Sequence, residues 1–201
     1  MDVVVIIVEG ETERVFYEAL VNYYRSVSKE TVCKTIIYNI KGIGNFSNKA
    51  IPKIKNGFKK KIEKDGDTLK GICCAYDTDV FELKQKPPVD WKKIETRAKK
   101  ELKITSAQFV HVKAQRMIED WFLYDLENLC NYLKIEKVKN LNGKDANEKM
   151  KVLFKKASKF YVKGNYTEKF IPSLDIEKII NKVKESLREL EVILNVKYMK
   201  S

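Results

Sequence analysis

The chain has 201 residues, 40 Lys and Arg against 28 Asp and Glu for a formal net charge of +12, and 44% hydrophobic residues. That is enough for one domain with a sizeable core and no disulfide staples. No apolar run approaches the roughly 20 residues of a membrane helix, so a membrane span is excluded.

Residues 2–8 are apolar and β-branched without polar alternation, which predicts a strand covered on both faces. From Thr12 to about Ser28, Val15, Phe16, Ala19, Leu20 and Tyr23 fall at helical spacing. TVCKTIIYNI (31–40) reads as a second strand, followed by the glycine loop KGIGNFSNK, in which Gly42 and Gly44 either shape a turn or cradle a phosphate. Ser47 is the expected N-cap of a helix to about Lys64 that takes Pro52 in its first turns. KDGD (64–67) signals a turn, Leu69–Tyr76 a third strand, KPPVD (86–90) a loop and Trp91–Leu102 a helix. Ala107–Val112 is a fourth short strand, and Met117 to about Leu133 has continuous helical character. Strands alternating with helices predict an α/β fold with a mainly parallel, Rossmann-like four-stranded sheet flanked by helices. After about residue 134, two helices (roughly 145–158 and 175–194) flank a loop with Gly164 and Pro172. The expected division is a core over 1–134 and a C-terminal helical appendage over 135–201, packed on the core.

Cys33, Cys73, Cys74 and Cys130 make no C-x-x-C pair and His111 is the one histidine, which argues against a zinc site. Reduced, buried thiols and the lack of a basic segment before the first apolar run point to a cytoplasmic protein without a signal peptide. The positive excess is nearly all Lys, with Arg only at Arg14, Arg25, Arg97, Arg116 and Arg188. Such a balance attracts polyanions, although a Lys-, Asn- and Ile-rich composition also follows from an AT-rich genome. Lys59, Lys60 and Lys61 read either as nucleic-acid contacts or as a solvated helix face.

The acids carry more. The first strand runs into Glu9-Gly10-Glu11-Thr12-Glu13 and the third into Asp77-Thr78-Asp79. In open α/β sheets ligands bind beyond the carboxyl ends of the strands, so if these strands are neighbours the acids share one crevice. Asp77 and Asp79, two apart in extended chain, would point the same way. Glu13, one turn into the helix, would face Glu9 across Gly10. Carboxylates so crowded repel unless cations intervene, and oxygen-only ligands suit Mg²⁺ or Mn²⁺. The alternative is that Glu9, Asp77 and Asp79 only cap helices.

VVIIVEGETE followed by ICCAYDTD, with the glycine loop KGIGNFSN and the segment RMIEDW in between and after, resembles the Toprim domain. More narrowly, it resembles the OLD-type and small stand-alone Toprim nucleases, over about residues 3–130. The resemblance implies Mg²⁺- or Mn²⁺-dependent cleavage of phosphodiester bonds in DNA or RNA. It makes Glu9 a metal ligand or general acid/base, Glu13, Asp77 and Asp79 metal ligands, and Glu119 a candidate for a second metal. Lys113 would balance transition-state charge, and Arg116 joins the expected nucleic-acid contacts. No Walker motif is present, so the resemblance implies a separately encoded ATPase as partner, in phage defence, and leaves an oligomer open. The rival readings are a catalytically silent binding or assembly module and another metal-dependent phosphotransfer enzyme acting on nucleotides.

Overall fold

The computed structural model describes all residues except 62–64, 83–88, 105, 166 and 199–201, and the side chains of 58–61 and 82 also lie outside the description. The chain runs β1 (Asp2–Val8), α1 (Glu11–Val27), β2 (Lys34–Asn39), α2 (Ile51–Lys61), β3 (Thr68–Asp77), the short α3 (Asp79–Glu82), α4 (Trp91–Leu102) and β4 (Gln108–Ala114). It continues as α5 (Ile118–Phe122), α6 (Leu126–Leu133), α7 (Ala146–Lys156), the short α8 (Thr167–Phe170) and α9 (Ile176–Leu194). The four strands form one sheet in the order β2-β1-β3-β4, with every pairing parallel.

The unbroken apolar run of β1 follows from its central place, since both of its faces are buried. Val4, Ile6 and Val8 join Phe16 and Leu20 of α1 and Leu187 and Ile193 of α9 in one core cluster. Val3, Val5 and Ile7 join Ile51 and Ile54 of α2 and Ile94 and Ala98 of α4 in the other. Helices therefore cover both faces of the sheet. On the first face α1 packs on β1 and β2, and α9 packs on β4 and β3. Gly71 permits that approach, because a Cβ there would lie 2.0 Å from Ile193 Cδ1.

This winding determines where a site can form. The chain leaves β1 toward β2 through a helix on one face, and leaves β3 toward β4 through helices on the opposite face. Between the carboxyl ends of β1 and β3 the outgoing segments part, which opens a crevice at the topological switch point.

Three local expectations are corrected. Ser47 does not cap a helix; it lies within a π-turn over Phe46–Ala50 that runs directly into α2, with Pro52 in the first turn of α2. The helix expected from Met117 to Leu133 is broken into α5, a 3-10 turn at Leu123–Asp125 and α6. The cause is Asp125, fully buried, which accepts hydrogen bonds from the Asp175 backbone N–H (2.7 Å), Lys178 Nζ (2.9 Å) and Asn128 Nδ2 (2.8 Å). Turning that carboxylate toward the start of α9 leaves Asp125 with non-helical torsions at the head of α6. Finally, the chain bends at Thr78, and Asp79 opens α3 instead of extending the strand. Of the KPPVD loop, 86–88 lie outside the described residues, while Asp90 accepts from Lys93 N–H as the N-cap of α4.

Candidate active site at the carboxyl ends of β1 and β3

β1 and β3 pair directly, with Val8 opposite Ala75. The residues after them therefore meet: Glu9 Oε1 accepts the Asp77 backbone N–H at 2.9 Å. Asp77 Oδ1 accepts in turn from Ile118 N–H at 2.9 Å, serving as a cap for α5 from a neighbouring strand. The glycine loop is tied to the same corner, since Gly42 N–H donates to the Glu9 carbonyl at 2.7 Å and Gly42 adopts a φ of 108° that favours glycine.

Glu13 lies in the first turn of α1, where the helix dipole favours an acid. It is only 2% exposed, and neither carboxylate oxygen has a hydrogen-bond partner. Gly10 leaves room for it, since a Cβ at Gly10 would lie 2.7 Å from Glu13 Oε2. Glu119, in α5, is 1% exposed; Tyr161 Oη donates to its Oε1 at 2.9 Å while Oε2 has no hydrogen bond.

One cation stands among these acids. Lys163 Nζ lies 2.7 Å from Asp77 Oδ2, 3.1 Å from Glu13 Oε1 and 3.5 Å from Glu119 Oε2. The Asp77 contact is a hydrogen bond. The other two are ion pairs without hydrogen-bond alignment, which is why those oxygens count as unpartnered. Next to Lys163, Gly164 N–H donates to Thr12 Oγ1 at 2.8 Å. The segment between α7 and α8 is thus fastened to the pocket by Tyr161, Lys163 and Gly164.

Burial dominates the electrostatics. It pushes the Glu9 carboxyl up to about 7, against the Asp77 N–H, with Glu13 adding to the rise. It also pushes Asp77 upward, with Lys163 pulling back and Glu13 adding to the rise. Burial alone would lower Lys163, but Glu13, Asp77 and Glu119 together raise it, so it stays an ammonium.

The structure thus brings together Glu9, Glu13, Asp77 and Glu119. Asp79 stands at their edge: its N–H donates to the Arg116 carbonyl (3.0 Å) and its charge adds to the rise at Glu9. Arg116 is exposed with a φ of 65°, and its N–H donates to Thr78 Oγ1 at 2.7 Å, so it rims the crevice. Lys113 lies within β4, exposed and opposite Tyr76, and pairs with none of these acids among the described residues. The side chains of Lys59, Lys60 and Lys61 lie outside the described residues. His111 packs edge-on against Trp91 (4.9 Å) and Tyr76 (6.0 Å) on the far face. Lys163, Tyr161 and Thr12 were not singled out by the sequence.

Carboxylate oxygens in excess, several buried without hydrogen bonds and already arranged around a cation, are a donor set that fits a hard divalent ion. Among the described residues no three acids, histidines or cysteines are gathered as ligands about one point; Glu13, Asp77 and Glu119 instead meet the Lys163 ammonium.

No family model matches the chain, and no curated protein does. Among solved structures it is similar to the C-terminal region of the Burkholderia pseudomallei OLD protein, at 14% identity and a TM-score of 0.39 over 92% of this chain and 98% of that one. It is also similar to the C-terminal region of the Xanthomonas campestris pv. campestris OLD protein, at 14% identity and a TM-score of 0.33 over 94% and 95%.

Proposed function

We propose that this protein is a Toprim-like, Mg²⁺- or Mn²⁺-dependent nuclease that cleaves phosphodiester bonds of DNA or RNA in the crevice beyond β1 and β3. The observation that carries this reading is Glu13, 2% exposed with both oxygens free of hydrogen bonds, which meets the same ammonium as Asp77 and Glu119. Burying a carboxylate that shares one ammonium with two other acids is costly, and a fold has little reason to keep one where capping alone is needed.

Glu13, Asp77 and Glu119 would hold the ion, with Glu9 and Asp79 beside them. A divalent ion bound there would supply charge neutralisation at the phosphate and a water of lowered pKa. Glu9, with a carboxyl near 7, can accept or release a proton at neutral pH. Its hydrogen bond to the Asp77 N–H keeps it at the pocket. Lys163 offers a positive charge to a phosphate oxygen, and the +12 surface draws the polyanion in. A separately encoded ATPase as partner, a role in phage defence and a cytoplasmic setting accompany this reading. The buried, unpaired thiols of all four cysteines fit that setting, and among the described residues no helix is long and apolar enough to cross a membrane.

A silent nucleic-acid-binding module is the second reading, favoured by Lys163, which already balances the pocket. Nicking and degradation of plasmid, single-stranded DNA and RNA with Mg²⁺ or Mn²⁺, with EDTA as control and with or without the ATPase, separate the two. Cleavage that is lost in EDTA and in Asp77→Ala and Glu13→Gln is the expected result. Activity surviving those changes overturns the metal mechanism. Inactivity of the natural chain throughout, with binding retained, selects the silent module.

A further inference from the structure

Lys163 is the one basic side chain that reaches the buried acids among the described residues, and it reaches three of them from three different elements, α1, β3 and α5. Its ammonium stands where their carboxylates converge. A divalent ion ligated by those oxygens would sit at about 2.1 Å from them, too close to the ammonium for both charges to remain. The two cations compete for one place.

The surroundings allow an exchange. The acids are fixed: Glu13, Asp77 and Glu119 are 2%, 5% and 1% exposed. The Lys163 side chain is 42% exposed, so its stem already has a path to solvent. The backbone on either side is fastened by the Tyr161 to Glu119 and Gly164 to Thr12 hydrogen bonds. Exchange therefore needs only rotation of the lysine side chain, a fast motion for a long, partly exposed side chain. Leaving forfeits one hydrogen bond and three ion-pair attractions, and the charge of the incoming divalent ion replaces that attraction for the acids.

We propose that the Lys163 ammonium is a resident counter-ion that holds the acidic pocket in a metal-free form and is displaced when a divalent ion enters. This rests on the metal reading above. Metal affinity is thereby set by competition with an internal cation, and the pocket never stands as an uncompensated cluster of charge.

Titration calorimetry of the full chain with Mn²⁺ at constant pH and ionic strength tests it. Lys163→Gln, which removes the competitor, should bind Mn²⁺ about tenfold more tightly than the natural protein, the gain expected if the ammonium leaves the pocket vacant about a tenth of the time. Lys163→Arg, which keeps a cation there, should stay close to the natural affinity. Equal or weaker binding by Lys163→Gln overturns the displacement while leaving the metal reading intact. Absence of Mn²⁺ binding by both proteins overturns the metal reading itself, and displacement with it. A second measurement needs no variant: acetylation of the natural protein, followed by mass spectrometry, should show Lys163 more reactive with Mn²⁺ than in EDTA, with Lys159 unchanged. A Lys163 rate that does not respond to bound Mn²⁺ overturns the proposal even if Lys163→Gln fails to fold.

Discussion

The carboxylate of Glu9 accepts the backbone N–H of Asp77 at 2.9 Å, across the junction of the two strands whose ends build the pocket. One acid is thus used to place another. That placement has a pH signature in the metal-free protein. Burial raises Glu9 from 4.5 to about 7 and moves Asp77 in the same direction. A folded state that binds a proton more tightly than the unfolded chain loses stability as pH rises. The Glu9 contribution is fully present below pH 4.5 and gone above about 7. The melting temperature in EDTA should therefore fall between those values, and Glu9→Gln, which keeps an acceptor for the Asp77 N–H, should flatten the slope. A melting temperature that rises across the interval in both proteins would contradict this account.

Gly10 precedes α1 in extended backbone (φ −143°), which any residue adopts, so its value is spatial. A Cβ there would meet Glu13 Oε2 at 2.7 Å and push that carboxylate aside. Gly10→Ala should fold normally yet weaken Mn²⁺ binding by about tenfold, at the low end of what misplacing a ligand costs. Calorimetry checks the affinity and circular dichroism the fold. Unchanged affinity would remove Glu13 from the ligand set.

Much of this pocket was legible because buried parallel strands announce themselves as apolar runs, and both acidic motifs come where such runs stop. Neighbouring strands then bring Glu9 to Asp77 with no further information. The backbone at Asp79 was not legible for a local reason: the bend at Thr78 and the start of α3 replace the extended chain expected there. The break at Asp125 was hidden because a buried acid's partners, here Asp175 and Lys178, lie some 50 residues away. Lys163 was invisible for the same reason at greater distance. It comes from an aperiodic segment 86 residues beyond Asp77 and is one of 40 basic residues, so nothing in its surroundings distinguishes it.

Docking of α9 on the sheet depends on Gly71, whose Cβ would lie 2.0 Å from Ile193 Cδ1 and 2.8 Å from the Gln108 carbonyl. Gly71→Ala should cost about 1–3 kcal/mol by overpacking, measured by urea unfolding. Adding Ile193→Ala should recover part of that loss, so that the double variant is more stable than the sum of the single changes predicts. Strict additivity would mean that the two residues do not meet.

If the lysine excess serves binding, affinity for nucleic acid should fall steeply with salt, the log–log slope counting the phosphates neutralised. Filter binding from about 50 to 200 mM salt spans the informative range. A flat response would assign the +12 charge to composition alone.

Tyr161 links the C-terminal segment to the pocket through one hydroxyl, which donates to Glu119 Oε1 at 2.9 Å. Its ring is held independently, against Phe154 at 5.1 Å and Phe170 at 6.4 Å. Tyr161→Phe therefore removes the hydrogen bond and keeps the packing. Glu119, 1% exposed, is left with Lys163 at 3.5 Å as its remaining polar contact, and an orphaned buried acceptor costs about 1–3 kcal/mol. The loss should appear in full in EDTA. It should shrink at saturating Mn²⁺ if Glu119 ligates the ion, because the carboxylate then has a partner in place of the hydroxyl. An equal loss with and without Mn²⁺ would leave Glu119 a structural acid and restrict the ligands to Glu13 and Asp77, with Glu9 and Asp79 beside them.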